Sequence, residues 1–188
     1  NTDGDQNDLA DQYFGRGNSP VACSIDVTGN TLTNATDTRD VPASIATQTG
    51  YVVNNNTGET FCTIQAAIDD ANTSTGHVLV VSAGTYAENI TVNKALDIRG
   101  PNYNISPNTG SRVTEAILVP ASTNTSTGAI VTITVSNVTF RGFTVDGDNT
   151  ALANSGVGLG GAYGLSNDAA RGIFVNANGV SGITISNN

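Results

Sequence analysis

From residue 78 onward, apolar side chains come in short clusters rather than at a helical period. Val78–Val81, Ile90–Val92, Leu96–Ile98, Ala116–Val119, Ile130–Val135, Val138–Phe140, Phe143–Val145, Ile173–Val175 and Ile183–Ile185 are bounded by Gly, Asn, Ser or Pro. Runs this short, rich in β-branched residues and closed by turn formers, predict strands. One segment differs. Ile64, Ala67, Ile68 and Ala71 form a helical stripe, with Thr63 placed to cap it and Gly76 beyond its end, so a short helix is expected over residues 63–72. Upstream, Ser24–Val27 and Tyr51–Val53 are β-like runs among Thr, Asn and Gly turns.

The β runs repeat. Ile90-Thr-Val-Asn-Lys-Ala-Leu-Asp-Ile-Arg-Gly100 lies on Ile133-Thr-Val-Ser-Asn-Val-Thr-Phe-Arg-Gly142 with one gap, and Val180–Asn187 continues the theme. Ala116–Val119 falls near the middle of the first interval, which suggests turns of roughly 20–24 residues, two to each interval. The expected fold class is all-β: a parallel β-solenoid whose successive turns share one apolar interior, preceded by the short helix. The expected organisation is an acidic linker at 1–22, a strand-and-loop region at 23–61 and the solenoid at 62–188. The last run stops within a repeat. The native chain is therefore expected either to continue into further turns or to dock that end on another copy.

Composition sharpens this picture. The 188 residues carry 12% charged and 5% aromatic side chains and a formal charge of -9, while 23 are Asn, 26 Thr and 21 Gly. Stacked turns place equivalent residues about 4.8 Å apart, so a solenoid disfavours charge at repeated positions. One Lys and six Arg are too few for a phosphate-binding surface, which excludes a nucleic-acid partner. No apolar run approaches the ~20 residues of a membrane span.

Two cysteines, Cys23 and Cys62, suit an oxidising compartment and a single disulfide, with two buried thiols as the alternative. The bridge would close a loop of roughly 40 residues, worth ~3–4 kcal/mol in the chain-entropy model. His77 is the single histidine, and its place between helix and strand suits a structural or solvent-facing role rather than general base work. Glu88 is read as a turn residue. Asp3, Asp5 and Asp8 surround a Gly turn and resemble the calcium-binding acidic repeats of thrombospondin type-3 linkers; a calcium site and a solvated acidic linker are the two readings. Asp146 and Asp148, with Arg141 before them, could perform acid/base work, bind calcium or form a polar Asp-Gly-Asp-Asn turn. Residues 147–171 read as a long loop, either passive or carrying a binding surface whose contact-capable side chains are Tyr163 and Arg171. Seven Asn-x-Ser/Thr sequons, at Asn34, Asn55, Asn72, Asn89, Asn104, Asn124 and Asn137, are close to the number chance gives at this composition.

The stretch Phe61-Cys-Thr-Ile-Gln-Ala-Ala-Ile-Asp-Asp-Ala, followed by Val-Leu-Val-Val-Ser-Ala-Gly-Thr-Tyr-Ala-Glu-Asn-Ile-Thr-Val and Leu-Asp-Ile-Arg-Gly100, resembles the opening segment of right-handed parallel β-helix proteins of the pectin-lyase-like superfamily. Its wording is most like large secreted or surface adhesin-type proteins of Bacteroidetes, many of them exported by a type IX system. The resemblance implies a helix capping the mouth of the solenoid, and an extracellular or cell-surface location. Its partners would be surface glycans, other proteins or further copies of itself. The Gln-Asp-Thr-Leu signature of pectin methylesterases and the Gly-His-Gly and Arg-Ile-Lys signatures of polygalacturonases are missing. The sequence therefore favours an adhesive or structural module without catalytic residues or a cofactor, calcium excepted. The alternatives are a carbohydrate-active enzyme with catalytic turns beyond residue 188, and a filament subunit joined through solenoid ends.

Overall fold

The computed structural model describes residues 50–109, 111–152 and 167–188. Within them the chain is mostly β, with twelve strands, one short α-helix and a 3-10 turn at Pro107–Thr109. Strand β1 (Val52–Asn54) pairs antiparallel with β2 (Thr60–Phe61) and with β3 (Val78–Val81). After β3 the chain runs through β4 (Gly84–Ala87), β5 (Ile90–Val92), β6 (Asp97–Arg99), β7 (Ala116–Val119), β8 (Asn124–Ile133), β9 (Thr139–Arg141), β10 (Thr144–Val145), β11 (Ala169–Val175) and β12 (Thr184–Ser186).

These strands enter three open sheets in rotation. The first holds β12-β9-β6-β3-β1-β2, the second β10-β7-β4 and the third β11-β8-β5. From β3 onward every pairing is parallel. One circuit is thus β3-β4-β5, the next β6-β7-β8, the next β9-β10-β11, and β12 returns to the first sheet. Parallel neighbours need a crossover connection, and here the crossover is the other two strands of the circuit.

This corrects the expected turn length. Leu79, Ile98, Phe140 and Ile185 occupy one ladder in the first sheet. The interval between the two matching sequence segments is therefore one circuit, not two. Ala116–Val119 is the second strand of its own circuit. The first interval is short and the next two more than double it, because residues 100–115 and 146–168 connect strands that are nearly adjacent in the first circuit. The register also differs at one end of the sequence alignment. Arg99 pairs with Arg141 as aligned, but Ile90 faces Val131 rather than Ile133. The slip is two residues, which leaves the inward face unchanged because strand side chains alternate.

Inward positions stack by kind. Tyr86, Leu118 and Val145 form one ladder, and Val92, Ile133 and Val175 another. The core they build includes Phe140 and Phe143, whose rings stack with centroids 4.3 Å apart. Gly100 and Gly142 occupy the corner after the first-sheet strand. A side chain on Gly100 would collide with the Gly142 carbonyl, and Gly142 adopts a φ of 84° against the backbone of Tyr103.

Helix α1 spans Ile64–Asp69 and buries Ile64, Ala67 and Ile68. It packs on β1, β2 and β5. It is shorter than the periodicity suggests. The chain leaves helical geometry at Asp70, whose carboxylate accepts from the Asn72 N–H, and Ala71 is exposed. Gly76 serves a turn before β3 rather than the helix end. Strand β4 lies outside the apolar runs read from the sequence, and its Tyr86 is fully buried in the core.

Candidate functional site

At the start of α1 and along β5, side chains accept from backbone N–H groups. Thr63 Oγ1 accepts from the Ala66 N–H at 3.0 Å. Glu88, read from sequence as a turn residue, does more. Its Oε1 accepts from the Ile64 N–H and its Oε2 from the Gln65 N–H, both at 2.9 Å. A buried carboxylate thus holds two amides at the helix start, where negative charge is favoured. Gln65 in turn accepts from the Thr91 N–H at 2.7 Å. Its carboxamide occupies the free side of β5, the edge of the third sheet.

Tyr86 ties the same region together. Its hydroxyl donates to Tyr51 O and Ser82 O at 3.1 and 3.0 Å. Burial pushes its pKa up to about 12. Asn54 is buried and donates to Thr73 Oγ1 at 2.8 Å, with His77 Nδ1 at 3.2 Å. His77 Nδ1 also accepts from the Ser74 N–H, so its ring is bound into the turn before β3.

On the outer face of the first sheet, Arg99 and Arg141 stand side by side and share Asp97. Asp97 Oδ2 receives Arg99 Nη2 at 2.6 Å and Arg141 Nη2 at 2.9 Å, and both guanidinium groups lie 5.3 Å from the centre of the Tyr103 ring. Burial raises the Asp97 carboxyl, but the hydrogen bonds and charges of the two arginines outweigh it, and its pKa falls below the usual value. Arg112 binds Glu115 through two nitrogens and also donates to Ile105 O, Phe143 O and Asn187 O. It joins the 100–115 connection to the two following circuits. The hydrogen bonds from Arg112 hold Glu115 below its ordinary pKa.

An open groove of about 460 Å³ lies beside β1 and β3, lined by Tyr51, Val53, Asn55, Val80, Pro101 and Val113 among others. Two of the large apolar residues most open to solvent, Tyr51 at 38% and Val113 at 55%, are in its wall.

The residues singled out by sequence are not gathered. Arg141 is turned to Asp97, while Asp146 Oδ1 accepts from the Asp148 N–H at 3.1 Å in a local turn. Arg171 belongs to β11 rather than to a loop: it donates to Thr127 O at 2.7 Å and covers the Phe174 ring. Tyr163, Asp3, Asp5, Asp8 and Cys23 lie outside the described residues, as does the Ser24–Val27 run. Cys62 is not a free thiol, and its pairing with Cys23 remains a proposal. Among the described residues no group of three or more His, Cys, Asp or Glu side chains could hold a metal ion. No helix among them is long and apolar enough to cross a membrane.

The chain is similar to a cell surface glycoprotein of Methanothermus fervidus, with 36% identity over 101 residues. That match covers 54% of this chain but 14% of the relative. No family model matches. No solved structure matches. The pectin-lyase-like and Bacteroidetes assignments therefore rest on the sequence resemblance, while the relative's name is consistent with a cell-surface location.

Proposed function

We propose that this chain is part of a cell-surface protein and serves there as an adhesive or structural module built on a right-handed parallel β-helix. The observation that carries the fold is the rotation of the chain through three sheets whose pairings among β3–β12 are parallel, with Leu79, Ile98, Phe140 and Ile185 in one ladder. In this reading α1 caps the first circuit, and the Cys23–Cys62 disulfide ties the upstream region to it. Asp3, Asp5 and Asp8 are the candidate calcium ligands. The similarity to a protein named cell surface glycoprotein supports the location. An adhesive or structural role fits a surface on which Arg99, Arg112 and Arg141 are committed to ion pairs within the chain. The test is antibody labelling of intact cells that make the protein. Labelling without permeabilisation, lost on brief protease treatment of whole cells, is the expected result. Labelling that appears only after lysis would overturn the reading.

A further inference from the structure

The six sequons among the described residues are not equivalent in the folded chain. Asn72 donates its carboxamide to Glu59 Oε1 at 2.7 Å. Asn89 is spliced between circuits, donating to Ala129 O at 2.8 Å and accepting from the Ala121 N–H at 2.9 Å. Asn124 Oδ1 accepts from the Thr127 N–H, and Asn137 sits at a φ of 59° with its Oδ1 against Gly182. Asn55 and Asn104 are exposed, and among the described residues neither side chain is used in a hydrogen bond. Of these two, Asn55 also lines the apolar groove of Tyr51, Val80, Pro101 and Val113.

The turn that carries Asn55 is fixed from both sides. The Asn55 N–H donates to Val78 O at 2.9 Å, and Asn56 Oδ1 accepts from the Val78 N–H at 2.8 Å. Thr57, the hydroxyl residue of the sequon, accepts from the Glu59 N–H. Asn55 is therefore a free carboxamide on a rigid turn at the wall of an open apolar groove. Exposed apolar patches on soluble proteins call for an occupant. Here one of suitable chemistry can be attached at the wall itself. A sugar has an apolar C–H face that suits the Tyr51 ring and hydroxyls that reach the exposed Thr114.

We propose that Asn55 carries an N-linked glycan whose first sugars lie in this groove and cover Tyr51 and Val113. This rests on the cell-surface reading above, since the glycan is added during export. The donor is a sugar chain on a lipid phosphate or diphosphate. The Asn55 amide nitrogen bonds to the anomeric carbon, the bond from that carbon to the phosphate oxygen breaks, and the lipid phosphate leaves with the electron pair. The nitrogen gives up one proton to a base of the transferase. No oxidation or reduction is involved.

The test is a peptide map by mass spectrometry of protein shaved from intact cells, together with Asn55→Gln and Thr57→Ser variants made in the same cells. The expected result is a glycan on the Asn55 peptide, lost in Asn55→Gln and kept in Thr57→Ser, which preserves the sequon. Asn55→Gln should also bind an apolar fluorescent dye more strongly than Thr57→Ser, with an unchanged circular dichroism spectrum. A bare Asn55 in shaved protein overturns the proposal. If Asn104 carries sugar in that same material, the surface reading stands while this proposal fails. A glycan on Asn55 with equal dye binding in the two variants overturns its placement in the groove.

Discussion

The interior and the last rung of the same ladder differ in one respect. Leu79, Ile98 and Phe140 are fully buried, while Ile185, in register with Phe140, is 45% exposed. The third sheet repeats the contrast: Val92 and Ile133 are buried, and Val175 beside them is 37% exposed. The side chains are alike in kind. What differs is whether both sides are covered: β1 and α1 lie against β3 and β5, and β6 and β8 follow them, whereas β11 and β12 have a described strand on one side only.

The largest effect should come from breaking the packing of α1. Ile68 is fully buried in α1. Ile68→Asp places an unpaired carboxylate there and is expected to cost more than about 4 kcal/mol, enough to unfold the chain in a denaturant melt. Next is the ladder itself. In a melt of residues 1–188 by themselves, Phe140→Ala should cost about 3–5 kcal/mol, whereas Ile185→Ala should cost less than about 1 kcal/mol. Equal losses would show that burial does not follow the circuits.

Glu88→Gln keeps the shape but leaves one helix amide facing an NH2 group instead of an oxygen. A loss of about 1–3 kcal/mol is expected. A variant as stable as the parent would remove Glu88 from the account of the start of α1.

The smallest effects concern pH. Asp97 and Glu115 titrate below their ordinary values of 3.8 and 4.5 in the folded chain. A lowered carboxylate stabilises the fold above its unfolded pKa, and that contribution is lost as pH falls through the folded value. The parent should therefore lose stability below about pH 4.5, and a double Asp97→Asn, Glu115→Gln variant should show a flatter acid limb. At the alkaline side Tyr86 works in the opposite sense. Its raised pKa, about 12 against 10.0, stabilises the fold fully below pH 10 and is lost as pH rises toward 12. Tyr86→Phe should remove that limb in a pH series of thermal melts.

The strands were legible because apolar pairs and triplets separated by Asn and Gly leave few other readings. Val78–Val81, Ile90–Val92 and Ala116–Val119 form as the pattern suggests. The length of a circuit was not legible. A strand at mid-interval fits a second turn as well as a second sheet, and nothing in Ala116–Val119 itself distinguishes them. Glu88 and Arg112 escaped for a related reason. Each acts on backbone groups far along the chain, Ile64 for one and Asn187 for the other. Such partners have no signature in a local window. The partner of Arg141 was not legible either, because the register of β6 and β9 delivers it to Asp97, 44 residues away.

The central claim is that each long interval is a single circuit, and backbone nuclear Overhauser contacts test it most directly. The account predicts contacts between Arg99 and Arg141 and between Phe140 and Ile185, as expected of neighbouring parallel strands. Backbone contacts pairing Asp97–Arg99 with Ala116–Val119 as adjacent strands would mean two turns per interval, and would contradict it.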